Sequence, residues 1–138
     1  MKLDIGCGRN KNQGFIGLDI SRDSSADIIA TVLKLPIKEA TASEINCSHL
    51  VEHLYPEEAQ QLFDEIYRVL QRSGKATIKI DRDWTKSRLL AKDPEHKYRY
   101  SENEIKSMVQ KFSFKKVKRR IYLFDRNLRT KIFVELMK

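Results

Sequence analysis

The chain has 138 residues, 41% apolar and 33% charged, the balance of a folded globular protein rather than a disordered one. No apolar run approaches the roughly 20 residues of a membrane span, Asp4 and Gly6 interrupt any secretory leader, and two cysteines, Cys7 and Cys47, suit a reducing cytoplasm rather than a disulfide scaffold. The net charge of +8 is uneven: residues 1–69 hold 7 basic and 11 acidic side chains, residues 70–138 hold 20 and 8, so the C-terminal half predicts an electropositive surface.

The length fits one domain over 1–138, without internal repeats. Met1–Gly8 reads as a short strand running into glycines, Phe15–Ile20 as a second strand ending near Asp19, Asp27–Leu33 as a third stopped by Pro36, and Glu44–Ser48 as a fourth. Ala59, Leu62, Phe63, Ile66, Tyr67 and Leu70 then form one helical stripe. Pro56 suits its first turn, Glu57 and Glu58 complement the dipole there, and Gly74 offers a left-handed stop. Lys75–Ile80 alternates Ala76, Ile78 and Ile80 against Lys75, Thr77 and Lys79, as a fifth strand does. The strand–helix–strand order predicts an α/β sheet with parallel members. Residues 81–100 lack periodicity and read as a substrate-side insert. Ser101 and Glu104 form a capping box for a helix with stripe Ile105, Met108, Val109 and Phe112. Phe114–Phe124 and Thr130–Met137, joined by the turn Asp125–Arg129, predict an antiparallel hairpin at the sheet edge.

The chemical signal lies at the start. Leu3-Asp4-Ile5-Gly6-Cys7-Gly8 is an apolar strand opening into Gly-x-Gly, which lets backbone pass close to a ligand. Asp19, ending the next strand, can accept hydrogen bonds from both hydroxyls of a ribose. With this opening the chain resembles the class I S-adenosylmethionine-dependent methyltransferases, specifically the small ones with a hydrophobic-Asp-x-Gly-Cys-Gly start. Lys34-Leu35-Pro36-Ile37, the run from Asn46 to Leu54, Tyr67-Arg68-Val69-Leu70 and the Ser73-Gly74 turn are similar to further segments of that family, so the likeness covers roughly residues 2–80.

The resemblance implies a Rossmann-like, mostly parallel sheet with the C-terminal hairpin, S-adenosylmethionine as cofactor, and methyl transfer to an unidentified acceptor. By position it implies Gly6, Cys7 and Gly8 beside the methionine part and Asp4 on its amino group, directly or through water. Asp19 would hold the ribose, Ile20, Val32 and Leu33 would flank the adenine, and Cys47, Ser48 and His49 would line the methionine end. His49 is the candidate general base, with His53 a weaker one; Asp81 and Trp84 are candidates for the acceptor pocket, with Tyr98 and Tyr100 read as packing aromatics. Among Cys7, Cys47, His49 and His53 only His49 and His53, at i+4, have a structural-zinc spacing, so no metal is expected.

The chain also departs from that family. Thr31 stands where the family has an acid for the adenine amino group, Arg9-Asn10 replace the third glycine, and the connections after the first two strands leave no room for full helices. With the first crossover helices missing or reduced, an apolar sheet face is expected to lie bare, covered by the 81–100 insert or by a homodimer partner. The same departures allow a catalytically degenerate S-adenosylmethionine-binding partner or regulatory subunit. The basic C-terminal half, including Lys115, Lys116, Lys118, Arg119, Arg120, Arg126, Arg129 and Lys131, allows a nucleic-acid-binding module.

Overall fold

The structure, a computed structural model, describes residues 1–83, 95–124 and 127–138. Among these, seven strands form one sheet: β1 (Lys2–Ile5), β2 (Ile16–Asp19), β3 (Ile28–Ile29), β4 (Ala42–Ser48), β5 (Leu70–Asp83), β6 (Phe114–Phe124) and β7 (Asn127–Met137). The spatial order is β3-β2-β1-β4-β5-β7-β6. Strands β1 to β5 run parallel, and β7 and β6 close the edge as an antiparallel hairpin. The α/β sheet expected from the sequence is therefore present, and the hairpin pairs further than expected, to Phe124↔Asn127.

Helix α1 (Pro56–Val69) carries the expected stripe. Ala59, Leu62, Phe63, Ile66 and Val69 are buried, each large side chain contributing roughly 1.5–3 kcal/mol of transfer energy. They pack on Leu3, Ile5, Ile45, Ile78 and Ile80 of the sheet. Pro56 begins the helix, and Glu58 accepts a 2.8 Å hydrogen bond from the Tyr55 amide. The helix stops before Gly74: Leu70 is already extended and pairs with Ala42 as the start of β5, because its fully buried side chain is drawn into the core. Ser73, at φ 63°, takes the left-handed conformation instead. Gly74 is needed for space, since a Cβ there would lie 2.9 Å from Gln71 O and 3.0 Å from Ala42 O. Helix α2 (Glu102–Met108) is opened by the Ser101–Glu104 capping box, as its sequence indicates.

Short connections replace the first crossover helices. The residue 9–14 loop folds back over β1 and β2: the Asn12 amide donates to Asp4 Oδ2 at 2.8 Å, and Lys11 Nζ lies 2.8 Å from both Asp27 oxygens. Gly17 lets it settle there, because a Cβ would meet Lys11 Cδ at 2.7 Å. After β3, which is only two residues long, the chain leaves the sheet and is clamped to α1. Glu65 Oε2 accepts from the Leu35 amide at 2.7 Å, and Arg68, paired with Glu65, donates to Leu35 O and Ile37 O at 3.0 and 2.9 Å.

The face opposite α1 corrects one expectation. It is not apolar: partners in register place Lys2 beside Glu44, Asn46 beside Thr77, Lys75 beside Glu44, and Thr77 beside Glu135. Polar alternation satisfies an open face without a cover, so the physical reason for a covering subunit falls away. Nor do residues 95–100 lie there. They pack at the end of β4 on the α1 side, where the Lys97 and Tyr98 amides donate to Glu52 O and the buried Tyr100 hydroxyl donates to Leu54 O at 2.7 Å. Residues 84–94 of the expected insert, with Trp84, lie outside the described residues.

Candidate active site

The glycine turn after β1 is a tight bend. Gly6 and Gly8 both have positive φ, 67° and 54°, a region that costs other residues roughly 1–2 kcal/mol. The Gly6 and Cys7 amides donate to Leu18 O at 2.8 and 3.2 Å, tying the bend to β2. Asp19 accepts from the Gly8 amide at 2.8 Å and from the Ser21 amide at 2.9 Å. The buried Asp4 ties β1 to the following loop and to β4, receiving the Asn12 amide on one oxygen and Asn46 Nδ2, at 2.7 Å, on the other.

Above this bend, at the C-terminal ends of β1 and β2, is a cavity of about 280 Å³. Its walls include Gly6, Asp19, Ile20, Thr31, Val32 and Leu33. Five of the expected cofactor residues therefore converge, although they come from three separate segments. Ile20 is 72% exposed, an apolar side chain standing free at the rim. Leu50 closes the floor: a Cβ on Gly6 would come within 2.9 Å of Leu50 Cδ2. Leu50, Leu54, Glu58 and Lys97 line this cavity without having been singled out in the sequence, and His53, a weaker candidate there, joins them. Their positions depend on how the Val51–His53 turn and residues 95–100 stack, which no local spacing encodes.

The other expected residues sit elsewhere. Cys7 is buried beside Gly17, and Cys47 is fully buried in the core. Burial, then the charges of Asp19 and Asp4, pushes the Cys7 thiol up; burial pushes Cys47 up still further. Neither is an activated nucleophile. Ser48 faces Asn46 Oδ1 at 3.4 Å on the open side of the sheet.

His49 follows β4 with φ 58°, turning its ring onto Asp81 of β5. Nδ1 lies 2.9 Å from Asp81 Oδ2 and 3.6 Å from Glu52 Oε1. Hydrogen bonds to Asp81 and then Glu52, against partial burial and the Lys131 charge, push the His49 pKa up to about 9. Burial alone would raise Asp81, but His49 and Lys131 together hold its carboxyl below the ordinary range. Lys131 Nζ stands 3.3 Å from His49 Nε2. When His49 is charged it has no lone pair to offer, and when it is neutral Lys131 occupies the nitrogen that could accept. The ring is thus held on both sides, Nδ1 against Asp81 and Nε2 against Lys131.

Glu52 is fully buried, and its Oε2 has no hydrogen-bond partner among the described residues. Its carboxylate groups with His53 and His96 within 4.8 Å, and the two imidazoles meet edge to face. Among the described residues the ligand-type side chains thus gather around Glu52 and not around the cysteines considered from the sequence.

Residues 3–78 match a protein family described as methyltransferase domain. The chain belongs to this methyltransferase family. No curated protein matches it in sequence. Among solved structures it is similar to a SAM-dependent methyltransferase from Archaeoglobus fulgidus, at 18% identity over 99% of this chain and 85% of that one, TM-score 0.78. A SAM-dependent methyltransferase of Thermotoga maritima, described as a possible histamine N-methyltransferase, shares 13% identity over 99% and 81%, TM-score 0.78. A phosphoethanolamine N-methyltransferase of Haemonchus contortus, solved with S-adenosyl-L-methionine, shares 13% over 99% and 48%, TM-score 0.77. At these identities the likeness establishes the fold: the Rossmann-like methyltransferase sheet, here with its first crossover helices reduced to loops.

Proposed function

We propose that the protein is an S-adenosylmethionine-dependent methyltransferase. One observation carries this reading: a single cavity joins the Gly6 bend, the Asp19 carboxylate and the apolar Ile20, Val32 and Leu33. This set fits an adenosyl compound, with a hydrogen-bonding acid for the ribose and apolar surface for the base. The Gly6 cradle, which a Cβ would fill, fits the close passage of the methionine portion. Leu18 O and the Asp19 carboxylate hold that bend, and Thr31 offers a neutral hydroxyl at the adenine edge in place of an acid.

When bound, S-adenosylmethionine supplies a methyl group already activated on a sulfonium, so an acceptor lone pair displaces a neutral thioether and any acceptor proton leaves to solvent. The chain's task is then alignment and exclusion of water. Leu50 and Leu54 provide the apolar wall, and His49 with Asp81 provides a fixed polar pair at the end of β4. The free Cys7 and Cys47 suit a cytoplasmic setting.

Calorimetric titration with S-adenosylmethionine and S-adenosylhomocysteine tests the reading. Binding in the wild type that is weakened by Asp19→Ala is expected; equal affinity in both proteins would remove the ribose assignment. Binding of both compounds with no turnover on any acceptor would instead favour the regulatory-subunit reading.

A further inference from the structure

A second cavity, of about 400 Å³, opens on the helix-free face where β5, β7 and β6 meet. His49, Lys79, Lys131 and Arg129 supply positive charge, and Phe133 and Tyr122 supply flat apolar surface. The registers explain this. Lys79 pairs with Phe133, Asp81 with Lys131, and Tyr122 with Arg129, so cations and aromatics of three strands face the same way. The Arg120 guanidinium lies 5.0 Å from the Phe133 ring centroid and extends the basic rim. Asp81 is already shared between His49 and Lys131, and Asp83 is the register partner of Arg129. Lys79 Nζ has no ion pair or hydrogen bond among the described residues.

We propose that this basin binds the acidic end of the methyl acceptor, a small oxyanion-bearing molecule with a flat apolar body. The word acceptor rests on the methyltransferase reading; the anion site does not. Three features point this way. The Lys79 ammonium, which no carboxylate among the described residues neutralises, selects an anion, and the volume falls in the range of small-molecule sites. The aromatic floor gives an apolar body something to lie on. The basin and the cofactor cavity are lined by consecutive residues, His49 in one and Leu50 in the other. The His49 amide donates to Lys79 O at 2.9 Å, so the seam between them is held by backbone. A polynucleotide fits less well, because the basic surface is interrupted along the face by Glu135, paired with Lys116, and by Glu44, paired with Lys2.

The test uses the full chain and three probes at physiological salt: phenyl phosphate, neutral benzyl alcohol and an oligouridylate ten nucleotides long. Phenyl phosphate is expected to bind, benzyl alcohol not to. Lys79→Ala should weaken phenyl phosphate about tenfold, and Phe133→Ala roughly threefold or more. The variants lie at the surface of the sheet, and circular dichroism confirms that they fold. No phenyl phosphate binding, equal binding of benzyl alcohol, or indifference to both substitutions would overturn the proposal. Tighter oligouridylate binding, with a salt dependence reporting several phosphates, would overturn it in favour of nucleic acid. S-adenosylhomocysteine titrations separate the two readings, since Lys79→Ala should leave that affinity unchanged and Asp19→Ala should lower it. Phenyl phosphate binding in a protein that ignores S-adenosylhomocysteine would sink the methyltransferase reading and leave the basin standing.

Discussion

Asp19 Oδ2 receives the main-chain amide of Gly8 at 2.8 Å, so the acid at the end of β2 holds the glycine bend at the end of β1. One carboxylate therefore shapes the cradle and also faces the cavity. Asp19→Ala removes both roles. Loss of hydrogen bonds to a charged acceptor should cost about 1.5–3 kcal/mol in S-adenosylmethionine affinity. Calorimetry reads that loss, and thermal unfolding reads the accompanying loosening of the bend. Asp19→Asn, which keeps one acceptor oxygen, should lie between.

The two glycines of the bend should respond differently to an added methyl. At Gly8 nothing lies within 4 Å of a built Cβ, so Gly8→Ala bears only the left-handed backbone cost, roughly 1–2 kcal/mol. At Gly6 the same cost is joined by contact with Leu50. Gly6→Ala should therefore be the more destabilising in urea denaturation. The excess should shrink in a Leu50→Ala background, where only the Leu50 Cβ, at 3.2 Å, stays close, and an unchanged difference there would mean that the Leu50 side chain is not the obstacle.

His49 gives a signed pH dependence. Its pKa is raised in the folded protein to about 9 from 6.5, so the folded state binds its proton more tightly than the unfolded state. That contribution to stability is complete below about pH 6.5 and disappears as pH rises through about 9. Melting temperatures from pH 6 to 10 should show this decline in the wild type and a flatter profile in Asp81→Asn. An NMR titration of the His49 ring with an ordinary midpoint would contradict the ion-pair account.

Arg68 ties the loop after β3 to α1 through Leu35 O and Ile37 O while pairing with Glu65. Arg68→Ala should cost about 1.5–3 kcal/mol, since it removes charge-assisted bonds and leaves two carbonyls unmet. The loop bearing Thr31, Val32 and Leu33 should loosen with it. Weaker S-adenosylmethionine binding is then expected without any change at Asp19, and amide exchange over residues 33–38 reports the loosening directly.

Local patterns in the sequence carried much of the fold. The stripe from Ala59 to Ile66, the Ser101–Glu104 box and the alternation in Lys75–Ile80 each depend on neighbours in the chain, and each appears as read. The polarity of the open face was already written in that alternation: Lys75, Thr77 and Lys79 cannot belong to an apolar surface. The end of α1 was misread because burial of Leu70 and its pairing with Ala42 outweigh the local attraction of a glycine stop. At the site, Gly6, Asp19 and Ile20 were legible because strand ends place them. The doubly engaged ring of His49, the Leu50 floor and the basin beside Phe133 were not, since they join segments far apart in sequence.

Loops in place of the first crossover helices leave the two sides of the sheet under unlike constraints. Leu3, Ile45 and Ile78 are locked into a dry interior where a lost methylene is felt at once. Thr77 and Phe133 lie on the open face and answer to ligand and solubility instead. Side chains one position apart along the same strand can therefore drift at different evolutionary tempos, which frees the wet side to acquire new recognition without reopening the core.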